Sequence, residues 1–352
     1  MRRSPMQTPQ RVARDTTGVA AGIAIFIAAL LSGGVTMAAA QVPGLTGTVI
    51  VTNKNPSTAT LIDLASGATL ATLPTGNGPH EIVISRDGRT AVVTDYGTAP
   101  APGSSLTIID VAALRVIRSL SLGEYRRPHG IVFLPGDSVV AVTVEASRAV
   151  LLVNVRSMQV VNAVPTEKVG SHMVGVAADG VRAWTGDIGS HTVTELDLAT
   201  GRALRSIAVP AQPEALTVTP DGHEVWVGSN ATGRVSVVDA RTGSVTTAAE
   251  GFLWPYRVLF TPDARTVLLP DYRGESLRFI ERASRQELGR MEFTAGGPQG
   301  ITITADGRTA LLSLSAKGKI IAIDVARRVV IGELLVGETP DGVVYSPVVV
   351  RR

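Results

Sequence analysis

The sequence contains no cysteine, which excludes disulfides, thiolate metal sites, haem attachment through Cys-x-x-Cys-His, lipidated cysteine and cysteine nucleophiles. Aromatic residues are scarce at 4%, and charged residues make up 18%. The formal charge of +3 belongs to the first 40 residues, which hold four Arg (Arg2, Arg3, Arg11, Arg14) and one Asp (Asp15). Without them acidic and basic side chains are equal in number, so the bulk charge draws in neither nucleic acid nor an anionic membrane. No nucleic-acid partner is expected. A Walker loop, Gly-x-Ser-x-Gly and a dinucleotide-binding Gly-x-Gly-x-x-Gly turn are missing. His80-Glu81 opens like a zinc-protease motif, but position 84 is Ile. Beyond residue 40 no segment has a convincing 3.6-residue apolar period.

What is present begins with a leader. Basic residues precede an uncharged apolar stretch from Gly18 to Met37, and Ala38, Ala39 and Ala40 stand ahead of Gln41. This order is that of a secretory signal peptide cleaved near Ala40, so a periplasmic or secreted protein is expected. An uncleaved anchor competes, since about 20 apolar residues span a bilayer. Gly33, Gly34 and the Ala-x-Ala ending favour cleavage. The expected organisation is residues 1–40 as signal peptide and residues 41–352 as one domain, with no stable membrane span after cleavage.

That domain is a repeat. A small or Pro residue, a variable residue and an apolar strand recur seven times, with the variable residue at His80, His129, His172, Glu214, Tyr256, Gln299 and Asp341. A second marker, an acidic or Asn residue closing another strand, falls at Asp63, Asp110, Asn154, Asp197, Asp239, Glu281 and Asp324. Both keep a period near 42 residues, enough for four short strands. Val, Ile and Thr fill the apolar runs, and Asp-Gly turns such as Asp87-Gly88, Asp221-Gly222 and Asp306-Gly307 close hairpins. Four-stranded units that cannot bury both faces alone must stack on their copies, and radial closure removes the open ends. The expected fold is all-β: a seven-bladed β-propeller of four-stranded blades. Because the domain begins with a second strand (Thr48 to Asn53) and ends with a first (Gly342 to Tyr345), the two termini share the last blade and close the ring.

Val49-Ile-Val-Thr-Asn53, Ala59-Thr-Leu-Ile-Asp63 and Gly78-Pro-His-Glu-Ile-Val-Ile-Ser-Arg-Asp-Gly88 resemble the YVTN-type β-propeller repeat proteins across the whole mature chain. The leading Tyr is replaced here, and Asn53 has Asp95 and Asp187 as counterparts. The resemblance implies a propeller and export. It says little about activity, because that family includes lactonase-like, haem-binding, nitrous-oxide-reductase-like and surface-layer proteins.

The loop entering each first strand and the loop between the second and third strands open on one face, so the seven variable residues should meet at one end of the channel. Asn53, Asp95, Glu145, Asp187, His191, Asn230, Asp271 and Tyr272 are expected farther out. The opposite face carries repetitive turns explained by backbone geometry. Two functions follow. The first is an exported binding or scaffold protein recognising a protein, glycan or small molecule through Trp254, Tyr256, Arg257, Tyr272 and Gln299, aromatic anchors and polar groups suited to a binding surface. The second is a metal-dependent, lactonase-like lyase or hydrolase. In it His80, His129 and His172 ligate a divalent metal and Glu214 or Asp341 serves as general base. The histidines are too few for a multinuclear copper cluster.

Overall fold

A computed structural model describes Val42 and residues 44–350; the expected leader, residues 1–40, lies outside the described residues. The chain folds into seven four-stranded antiparallel sheets, so the structure is the expected seven-bladed propeller. Blades one to six comprise residues 79–121, 128–165, 171–208, 213–249, 259–292 and 298–335. Blade seven joins Pro340–Ser346 from the C-terminus to Thr48–Asn53, Thr58–Asp63 and Thr69–Pro74 from the N-terminus. Its strand order places the C-terminal strand beside Thr48–Asn53, so ladder hydrogen bonds between the chain ends close the ring.

Each interface between adjacent blades encloses its own apolar cluster. Val92, Leu106, Val142 and Leu151 lie between blades one and two; Trp226, Val237, Phe260 and Val267 lie between four and five. At roughly 1.5–3 kcal/mol for each fully buried large apolar side chain, these seven clusters hold a cysteine-free ring together by packing. Among the described residues no helix is long and apolar enough to cross a membrane.

On the repetitive face four turns close locally, though Arg282 of blade five also pairs with Asp221 and Glu224 of blade four. In these Asp-Gly and Asp-Ala turns a hydroxyl donates to the Asp two residues later: Ser85 to Asp87, Thr219 to Asp221, Thr261 to Asp263 and Thr304 to Asp306, each at 2.6 Å. The same carboxylates accept from backbone N–H groups, which satisfies the turn locally.

At the other end, each first strand departs from regular pairing. The ladder shifts register just after the small or Pro residue, between Pro79 and Ile82, Pro128 and Ile131, Ser171 and Met173, Pro213 and Ala215, and Pro298 and Ile301. The variable residue stands inside that bulge, and a bulge re-aims a side chain. In six blades a positive-φ residue precedes it; three of these, Arg127, Gln212 and Thr339, are not glycine. A left-handed non-glycine residue ahead of a proline is a costly conformation, and here it recurs beside the variable position.

Blade five departs furthest. Its first strand, expected to run on from Trp254-Pro-Tyr256, is reduced to Leu259–Phe260 and one isolated bridge between Pro255 and Asp271. Pro270 in the neighbouring strand brings no N–H to the ladder, and only its carbonyl is used, by the Tyr256 N–H.

Candidate functional site at the channel mouth

Strands deliver the seven variable residues to one place. The Thr52 hydroxyl donates to the His80 carbonyl (2.8 Å), Thr143 to that of His172 (2.6 Å) and Ser313 to that of Asp341 (2.9 Å). Each bond passes from one blade to the next. The mouth residues are thus held by their own blade and by its neighbour.

Their side chains touch in a nearly complete circuit. Asp341 Oδ2 lies 3.5 Å from His80 Nδ1. The His80 ring lies 5.1 Å from that of His129, which stacks on His172 at 3.6 Å. His172 Nε2 is 3.9 Å from Glu214 Oε1. Glu214 accepts from Trp254 Nε1 at 2.9 Å and from Asn230. Trp254 packs on Tyr272, and Tyr272 on Tyr256. The Tyr256 hydroxyl donates to Asp341 Oδ1 at 3.1 Å, which closes the circuit. Blade six is bypassed: Tyr256 reaches blade seven, while Gln299 is 6% exposed and its Oε1 has no partner.

A second ring was not legible as such. Lys54, Glu145, Ile188, Asn230, Tyr272 and Ser315, each following a second strand, and Tyr96, near the end of the longer second strand of blade one, are one per blade and all half-buried. Lys54 Nζ reaches Asp341 Oδ2 at 2.9 Å. The Tyr96 hydroxyl donates to Glu145 at 2.6 Å, and Glu145 bonds His172 Nδ1. Of the residues expected in that outer position, Glu145, Asn230 and Tyr272 belong to this ring, whereas Asn53, Asp95, Asp187 and Asp271 sit one place earlier and support the frame. Asp95 accepts from Gly76 N–H, Ser105 and Thr107. Asp187 accepts from Ser171, Thr185, Thr192 and Thr194, and Asp271 from the N–H groups of Leu253, Trp254 and Gly274. Asn53 bonds Thr58 and Thr60. The detectable signal was a single-residue offset, a non-repeating residue straight after a repeating polar one.

Arg257 does not face outward as expected of a ligand contact. It is buried and pairs with Glu81, 176 residues away and three blades around the ring. This cross-channel pair lies one residue inward of Tyr256 and His80 and braces blade five against blade one. Burial brings Arg257 down to about 10, with Asp341 opposing that fall.

The charges are ordered. Burial, then the Lys54 charge, lowers His80 to about 3 despite Asp341. Burial, then the charges of His172, His80 and Lys54, hold His129 well below its usual range. Burial also opposes protonation of His172, but the Glu145 hydrogen bond and charge outweigh it and raise that group. The same contacts overcome burial at Glu145 and lower its carboxyl. At Asp341 the charges of Lys54, His80 and Arg257 overcome burial and hold the carboxyl low. At Glu214 burial wins over His172, Asn230 and Trp254, and its carboxyl is raised.

The three imidazoles meet, yet as ring contacts. Among the described residues no group of three or more His, Asp or Glu side chains is placed to hold a metal ion. Stacked faces turn ring nitrogens away from a common point, whereas a metal requires donors to converge at about 2.1 Å. The donor set does not fit the expected divalent metal, and no step is derived through one.

No family model matches the chain, and no curated protein matches it in sequence. Solved structures do share the fold. Hydrazine synthase of Kuenenia stuttgartiensis is 16% identical with a TM-score of 0.65, covering 75% of this chain and 88% of that one. A functionally unknown protein from Desulfotomaculum acetoxidans DSM 771 is 13% identical with a TM-score of 0.70, covering 86% and 99%. Such likeness defines a class, the seven-bladed β-propellers, and a shared fold carries no activity with it.

Proposed function

We propose that this protein is an exported binding propeller of the YVTN type, its leader removed near Ala40, that recognises a small polar ligand at the channel mouth. One observation carries the reading. Buried polar atoms without a hydrogen-bond partner gather there: His129 Nδ1, His172 Nε2, Asn230 Oδ1 and Gln299 Oε1. Buried polar groups are ordinarily satisfied, and leaving one unpaired costs about 1–3 kcal/mol; a ligand offering complementary groups recovers that cost. A groove between blades five and six, about 580 Å³, is lined by Asp263, Phe279, Asp306 and Arg328. Its aspartates, though, are occupied by their own turns. A fragment screen read through the indole N–H resonances tests the proposal. Trp184 and Trp226 are core residues and Trp254 is at the mouth, so a bound fragment shifts Trp254 alone. Hits that leave Trp254 unmoved would refute the reading.

A further inference from the structure

Counted as ionised, the buried acidic and basic groups at the mouth do not balance. Glu81, Glu145, Glu214 and Asp341 supply four carboxylates. Three cations answer them: Arg257 on Glu81, His172 on Glu145 and Lys54 on Asp341. His80 and His129 add none: the carboxylate beside His80, Asp341, already answers Lys54, and His129, 2% exposed, stands among aromatic rings. Glu214 is the carboxylate left over. It is 7% exposed, its donors Asn230 and Trp254 are neutral, and the nearest cation is His172, 3.9 Å away and already committed to Glu145. Arg127 and Arg273 stand at the rim, Arg127 half-buried and Arg273 exposed, where solvent screens them.

The surroundings of Glu214 suit a cation. Trp254 stands beside it, with Tyr272 packed on Trp254, and a face of Trp254 already carries the Arg273 guanidinium at 4.3 Å; such faces attract positive charge. Asn230 Oδ1, on the residue bonded to Glu214, and Gln299 Oε1, in blade six of the same mouth, are acceptors that lack donors. An anion would meet Glu214 directly, and a neutral polyol would leave its charge uncompensated.

Resting on the reading of the mouth as a ligand site, we propose that its ligand is a small organic monocation, a primary ammonium, seated against Glu214 with Trp254 beside it. The ammonium supplies the missing charge and brings N–H donors to the unpaired acceptors.

The test is a titration of Trp254 fluorescence with methylammonium, ethylammonium, acetate and glycerol at one ionic strength. The two ammonium ions are expected to give saturable changes, and acetate and glycerol none. Glu214→Gln, which still accepts from Asn230 and Trp254, is expected to weaken ammonium binding about tenfold or more. Lys54→Met removes a competing cation and is expected to strengthen it. Should Glu214→Gln fail to fold, wild-type protein gives the same answer, because binding should fall as acid protonates Glu214. Saturable binding of acetate or glycerol in place of the ammonium ions would overturn the proposal and leave the mouth as the site. Unchanged ammonium affinity in Glu214→Gln, or weaker affinity in Lys54→Met, would overturn it as well. No response to any of the four overturns both readings.

Discussion

The two ends of this propeller are built from the same repeat and satisfy their polar groups in opposite ways. At the turn end a hydroxyl, an Asp and two backbone N–H groups close on themselves in blades one, four, five and six. At the mouth no two adjacent blades from four to seven present the same variable residue; contacts run between blades, and several buried atoms have no partner. Where closure is local, as at Asp263 and Asp306, a loss stays within one hairpin. Closure between blades makes the mouth a single unit, in which one substitution is felt around the ring.

The largest effect that separates the two ends should come from the cross-channel pair. Arg257→Ala leaves Glu81 buried and unpaired and should cost about 3–5 kcal/mol in denaturant unfolding. Glu81→Gln combined with Arg257→Gln should recover most of that loss. Additive losses in the double variant would mean that the pair is not coupled and that the mouth is no more integrated than the turns.

Next in size is Asp341→Ala, which strips Tyr256, Lys54 and His80 of a shared partner. It should cost about 2–4 kcal/mol, by loss of hydrogen bonds to a buried charge, and should also perturb the Trp254 indole resonance through Tyr256 and Tyr272. A loss of stability with no spectral change would break the circuit described here.

A smaller, pH-dependent effect belongs to His172 and Glu145. His172 is held above its ordinary value, so its share of stability is complete below about pH 6.5 and is lost as pH rises through the folded-state value. Glu145 is held below its ordinary value. Its share is present above about pH 4.3 and is lost as pH falls through the folded-state value. The pair therefore contributes most between those limits, and His172→Gln should flatten thermal stability across them. An unchanged profile would contradict the ion pair.

The smallest effect marks the other end. Asp306→Ala should cost about 1 kcal/mol and leave Trp254 untouched; a shifted Trp254 resonance would break the separation of the two ends.

The ring and its inner residues were legible because both rest on periodicity. A 42-residue beat fixes blade number, and residues that vary within a fixed phrase mark a position used for something other than folding. What escaped depends on geometry that spacing does not carry. Lys54 and Tyr96 stand one residue beyond the repeating polar positions, where the chain turns back over the channel, while Asn53 and Asp95 are spent on hydroxyl and amide donors. The Arg257 and Glu81 pair joins residues far apart in sequence, each of which reads alone as an unremarkable charge. The histidines were correctly grouped, but sequence could not reveal that His172 is bound to Glu145 and stacked on His129. The trimmed first strand of blade five hinges on Pro270, whose missing N–H matters only once its partner strand is known.

The most direct test of a single ligand-binding end is a crystal structure of the protein soaked with the strongest fragment that shifts Trp254. Ligand density in contact with Glu214, Gln299 or Asp341 is the predicted result. Density in the grooves beside Asp263 and Asp306, with the mouth side chains still closed on one another, would contradict it.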